Sequence, residues 1–153
     1  MLERREITRD TLRPLLGLKL RPDQAHLVAP NPVTIAQCAY EQPGGYVWGL
    51  WDGDDAGGLL AMIHPREYQH LEQGDDPDGA FIWRLMIAAD LQGKGYGAAA
   101  ITACRAQAPD WGLPRVATSV ADTPDSNIGF YERLGFRRTG GIVDDEIVLS
   151  RDA

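Results

Sequence analysis

The sequence predicts an α/β (α+β) fold built on a mixed sheet with helices on both faces. Three observations predict it. A short apolar run, Phe81–Ile87, passes through a glycine-rich turn into an alanine-rich helix. Hairpin patterns lie on both sides of that unit, at 46–64 and 136–150. The order of elements is a strand, helices, more strands, then β-α-β-α-β-β, which suits a layered sheet. The chain has 153 residues, 44% hydrophobic and 24% charged, with no internal repeat or low-complexity segment, so one domain over 1–153 is expected.

Taken in order, Leu2–Ile7 reads as a charged edge strand. Thr8 is an N-cap for a short helix over Asp10–Leu16 that ends near Gly17, with Pro14 inside it. Pro22-Asp23-Gln24 marks a turn or helix start. Asn31-Pro32 reads as a cap followed by proline at the first helical position, opening a helix to about Glu41. Gln42-Pro43-Gly44-Gly45 breaks it. Tyr46–Asp52 and Gly57–His64 form a hairpin around 53–56. The stretch Pro65–Gly79 is the most acidic of the chain; it reads as a solvated loop or as an acidic rim that attracts a polyamine.

The central unit follows. After Phe81–Ile87 comes Gln92-Gly93-Lys94-Gly95-Tyr96-Gly97, then strong helix formers from Ala98 onward. Glycines permit positive φ, and the first amides of a helix lack internal partners at the positive end of the dipole. Such a turn can hold a phosphate or pyrophosphate, or it can be a plain connection. It is neither GxxxxGK[ST] nor GxGxxG. Arg115–Val120 is the next strand, and Asn127–Leu134 a short helix closed by Gly135. Phe136–Thr139 and Glu146–Ser150 form a last hairpin around Gly140-Gly141 and Asp144-Asp145.

Two motifs carry a resemblance. Gln92-x-x-Gly95-x-Gly97 resembles the acyl-CoA loop of the GNAT superfamily of N-acetyltransferases. Phe130-Tyr131-Glu132-Arg133-Leu134-Gly135-Phe136 looks like that superfamily's second signature, although Asn127 stands closer to the Phe-Tyr pair than in the usual form. More loosely, much of the chain looks like the diamine and spermine/spermidine acetyltransferase branch. The resemblance implies a mostly antiparallel sheet in which Phe81–Ile87 and Arg115–Val120 splay apart around a thioester. It implies acetyl-CoA as cosubstrate. The backbone of Leu85, Met86 and Ile87 would bond the pantetheine arm. The amides of Gln92, Gly93, Lys94, Gly95, Tyr96, Gly97 and Ala98 would hold the pyrophosphate, with Asn127 also on the cofactor. Tyr131 matches the tyrosine that protonates the leaving thiolate, or it is a packing residue. Where some polyamine enzymes carry a glutamate on the central strand, this chain has Trp83 and Arg84. Glu41, His64, Glu67, Glu72 and Glu146 are candidates for the base.

The implied activity is N-acetylation of a primary amine, a polyamine or diamine. The alternatives are a protein or peptide amine and a non-catalytic acyl-CoA-binding module. A net charge of −7 argues against a nucleic-acid partner and suits a cationic substrate. No apolar run reaches membrane-spanning length, and the N-terminus lacks the apolar core of a secretion signal. Cys38 and Cys104 have no metal spacing and read as buried thiols, which points to a cytoplasmic setting. No metal is expected. The partners are a small-molecule amine, no nucleic acid and no membrane, and the resemblance allows a homodimer.

Overall fold

The computed structural model describes residues 2–153. Seven strands form one sheet: β1 (Leu2–Glu6), β2 (Gly45–Asp52), β3 (Asp55–Ile63), β4 (Gly79–Ile87), β5 (Arg115–Ala121), β6 (Arg137–Val143) and β7 (Glu146–Asp152). Their spatial order is β1-β2-β3-β4-β5-β7-β6. Every pairing is antiparallel except β4 with β5. The helices are α1 (Arg9–Leu16), α2 (Asn31–Cys38), α3 (Tyr96–Asp110) and α4 (Ile128–Arg133). This is the mixed, mostly antiparallel architecture expected.

Both faces of the sheet are covered, and β3 shows it residue by residue. All of Gly57–Ile63 is buried. Leu60 and Met62 pack into the cluster that holds Ile82, Ile101, Cys104, Val116, Phe136 and Leu149. Leu59, Ala61 and Ile63 point the other way, as strand alternation requires. On that side Leu15 of α1 seats against Gly49 of β2, which pairs with Leu59. Such continuous apolar runs are typical of strands buried on both faces.

Several local expectations hold. Thr8 caps α1, its hydroxyl accepting from the Thr11 amide while Thr11 returns a bond to the Thr8 amide. Cys38 and Cys104 are buried and free. Other expectations are corrected. Asn31 is the first residue of α2 and not its cap, which is Pro30. The Asn31 side chain is buried and donates to the Leu15 carbonyl at 2.8 Å, so it ties α1 to α2. The helix also stops at Cys38, short of Glu41. The β2–β3 turn has only two residues, Gly53 and Asp54. Strand β6 runs through Gly140-Gly141 as an irregular edge, and the hairpin turns at Asp144-Asp145, both with positive φ.

The parallel pair positions everything that follows. The ladder between β4 and β5 covers Gly79↔Arg115 to Ile82↔Thr118 and then stops. Beyond it the two strands diverge, and the Thr118 hydroxyl donates to the Ile82 carbonyl at 3.0 Å at the fork. The expected splay is present.

Candidate active site

The loop that leaves β4 is held by its own side chains. Gln92 donates through Nε2 to the Ile87 carbonyl at 3.0 Å, fastening the turn to the strand end. Gly93 and Gly95 have φ of +76° and +82°. A β-carbon at either would touch nothing within 4 Å, so glycine is required there by backbone conformation and not by space. The first hydrogen bond of α3 runs from the Ala99 amide to the Gly95 carbonyl, at 3.1 Å. The preceding amides are therefore outside the helical ladder, at its positive end. The Tyr96 side chain turns away and donates to Asp52, leaving only its amide to the loop.

Two cavities meet at the fork. The smaller, about 160 Å³, lies between the end of β4 and α4. Leu85, Met86, Ile87, Gln92, Gly97, Asn127 and Tyr131 all line it. Of the residues expected around an acyl-CoA arm, these are brought together, whereas Gly93, Lys94 and Gly95 form the exposed rim of the loop. The unladdered amides, the open space at both positive-φ glycines and the cavity that runs from Gln92 and Gly97 into the fork suit a diphosphate carrying an extended arm.

The larger cavity, about 730 Å³, lies on the other side of the fork. Tyr131 and Asn127 line both cavities. Tyr131 is only 7% exposed, wedged edge-on between Phe130 and Phe136 at 5.1 and 5.3 Å. Burial, reinforced by Cys104, pushes its phenol above the ordinary tyrosine range, so it stays protonated.

The larger cavity is acidic. Glu41, Glu72, Asp75, Asp125, Asp144 and Glu146 line it. Glu41 accepts from the Tyr68 hydroxyl at 2.6 Å, and burial raises Tyr68 to about 12. Glu146 accepts from Ser119 at 3.0 Å. The stretch 65–79 does overhang this side, through Tyr68, His70, Leu71, Glu72 and Asp75. Its other acids are structural. Asp76 takes a bidentate grip from Arg115 at 2.7 and 2.8 Å, and Asp78 accepts from Arg66 at 3.0 Å.

Among the base candidates, Glu41, Glu72 and Glu146 face the cavity. His64 and Glu67 do not. His64 stacks on Trp111 at 4.8 Å, and Glu67 accepts from Tyr46 at 2.9 Å, both away from the fork. One contact at the mouth has no counterpart among the sequence expectations. His26 Nε2 and Asp125 Oδ2 lie 2.5 Å apart, joining the loop after α1 to the loop before α4. Their 99-residue separation leaves no periodic signal that could reveal the pair. Among the described residues no cluster of His, Cys, Asp and Glu could hold a metal, and no helix is long and apolar enough to cross a membrane.

Comparison with known proteins agrees with this geometry. The family model for the acetyltransferase (GNAT) family matches residues 10–136. No curated protein sequence matches the chain. Among solved structures, an IAA acetyltransferase from Bacillus cereus is similar at 18% identity and TM-score 0.65, with 100% of this chain and 99% of that one covered. A PaiA N-acetyltransferase from Thermoplasma acidophilum, in complex with coenzyme A, is similar at 11% identity and TM-score 0.68, with 100% and 99% covered. A spermidine N-acetyltransferase from Vibrio cholerae is similar at 17% identity and TM-score 0.68, with 99% and 93% covered. The likeness to the spermidine enzyme is of the same order as the others and does not single out a polyamine branch.

Proposed function

The chain belongs to the GNAT acetyltransferase family, and from that membership we propose that it transfers the acetyl group of acetyl-CoA to the primary amine of a small molecule. The observation that carries the reading is the fork. Tyr131 stands where a groove fit for an acyl-CoA arm meets an acidic cavity fit for an amine.

In this reading the amides from Gln92 to Ala98 hold the diphosphate, and the edge of Leu85, Met86 and Ile87 that faces away from β3, past the end of the β5 ladder, aligns the arm as an added strand. Asn127 contributes from the start of α4. Bound acetyl-CoA supplies a thioester carbonyl open to attack by a neutral amine. The carboxylates of the larger cavity concentrate the cationic form of that amine. Glu41, Glu72 and Glu146 are the groups placed to accept its proton. Tyr131, protonated by virtue of its burial, holds a proton for the departing sulfur.

The acidic lining supports a diamine or polyamine among small amines. Arg84 in the same cavity opposes a chain that is cationic along its whole length. A second reading, a peptide amine, draws on an open groove of about 470 Å³ that continues from the cavity past Trp83 to Tyr40, which is 89% exposed. Measurement of CoA release with diamines, polyamines, amino acids and short peptides tests these readings. Absence of turnover across the panel, with acetyl-CoA bound, would exclude catalysis and leave a binding module.

A further inference from the structure

We propose that Arg84 binds a carboxylate on the acceptor, and so that the acceptor is an amino-carboxylic acid. This rests on the N-acetyltransferase reading above and narrows its substrate class.

The register of β4 against β3 shifts at Trp83. Met62 pairs with Ile82 and Ala61 pairs with Arg84, so Trp83 is an extra residue, a bulge. In a regular strand Arg84 would share the face of Ile82, which is 1% exposed and packed in the core beneath α3. The bulge turns Arg84 to the opposite face, beneath α2. There Nη1 spends both its hydrogens, on Thr34 Oγ1 at 3.0 Å and Gln37 Oε1 at 2.6 Å. Thr34 is fully buried, so the guanidinium is anchored and not a free surface arm.

What is left is one edge, Nε with Nη2. No described residue accepts a hydrogen bond from it, and Arg84 forms no ion pair among the described residues. The same edge of another arginine shows what it fits. Arg115 uses Nε and Nη2 to grip both oxygens of Asp76, at 2.7 and 2.8 Å. Arg84 has the donors of that pair without the acid. Among the described residues it is also the one Lys or Arg in a cavity lined by six carboxylates, none of which is paired with it. Burial already disfavours its charge. A half-buried cation without a counter-ion is stabilised by an incoming anion, and a planar two-donor edge selects a planar two-oxygen anion. The acidic part of the same cavity takes the amine. Opposite charges at two places in one cavity describe a zwitterionic acceptor.

The test uses matched pairs that differ by one carboxylate: ornithine with putrescine, lysine with cadaverine, and γ-aminobutyrate with propylamine. The protein with acetyl-CoA should favour the carboxylate-bearing member of at least one pair by roughly 10- to 100-fold in kcat/KM, the range of a charge-assisted bidentate contact. In Arg84→Gln that preference should collapse, through KM for the amino acid. Arg84→Lys, which keeps the charge but not the paired edge, should retain only part of it. Equal or better use of the amines by the wild-type protein would overturn the proposal, as would a preference that survives in Arg84→Gln. Calorimetric titration of the CoA-loaded protein with the same pairs separates this site from the reaction. Selective binding of the amino acids without acetylation would uphold the Arg84 site and overturn the enzymatic reading. Binding that ignores the carboxylate would overturn the Arg84 site whatever the turnover.

Discussion

Gly97 in the first turn of α3 and Phe130 in α4 are in contact. A β-carbon at Gly97 would stand 3.2 Å from Cζ of the Phe130 ring. The two motifs that flank the fork thus meet with no room for a side chain between them. Phe130 is followed by Tyr131, so a shift of the ring reaches the proposed acid.

Gly97→Val is therefore expected to weaken both CoA affinity and turnover. Overpacking of this kind costs about 1–3 kcal/mol, or roughly 5- to 150-fold in an equilibrium constant. Combination with Phe130→Leu should recover part of the loss, and calorimetric titration of CoA against both proteins reads it. Independent, additive effects would mean that the contact does not transmit.

Tyr131→Phe should lower kcat by about 10²–10⁴, the usual range for a lost proton donor, with nearly unchanged affinity for CoA. Because burial pushes the phenol up, the wild-type rate should show no loss from tyrosine ionisation as pH rises to about 10, the ordinary tyrosine value. Steady-state kinetics across pH checks both statements. Equal turnover in the two proteins would remove Tyr131 from the mechanism.

Gly58→Ala should be among the most damaging changes in the sheet. Its β-carbon would stand 2.3 Å from the Met86 carbonyl oxygen, where only backbone movement can make room. A loss of about 1–3 kcal/mol in stability is expected, read as a lowered denaturation midpoint. Gly53→Ala, in open space at φ +60°, should cost less.

The Arg115–Asp76 pair anchors the acidic loop and sets a pH dependence. The hydrogen bonds from Arg115 hold the Asp76 carboxyl below the usual carboxylate range. A depressed folded value contributes stability above the unfolded value, about 3.9, and loses it as pH falls through the folded one. Asp76→Asn should therefore destabilise at pH 7 by about 1 kcal/mol for this partly screened pair and approach the wild type under acid. Thermal melts from pH 7 to pH 3 check the convergence. A constant gap would assign the loss to packing.

The strand, glycine turn and helix of 79–110 are legible in the sequence because their signals are local: an apolar run, glycines where φ is positive, then alanines. The heptapeptide 130–136 is legible for the same reason, and Phe136 is buried as its pattern suggests. What escapes is set by distant chain. Asn31 has the look of a cap, but the carbonyl of Leu15 takes its side chain. Arg84 reads as an interruption in an apolar strand. Only the bulge at Trp83, and two acceptors on α2 some fifty residues away, turn it toward a cavity. His26 and Asp125 meet only because two loops close over the same opening.

Past the end of its ladder with β5, β4 offers main-chain groups to whatever lies in the fork. A grip made of peptide groups has no side chain to lose. If the acyl donor is held as proposed, substitutions can reshape the acceptor cavity while that hold persists, because it is encoded in the course of the backbone. Divergence in this lineage should fall mainly on positions such as Arg84 and the carboxylates around it, and leave the glycine turn and the gap in the sheet alone.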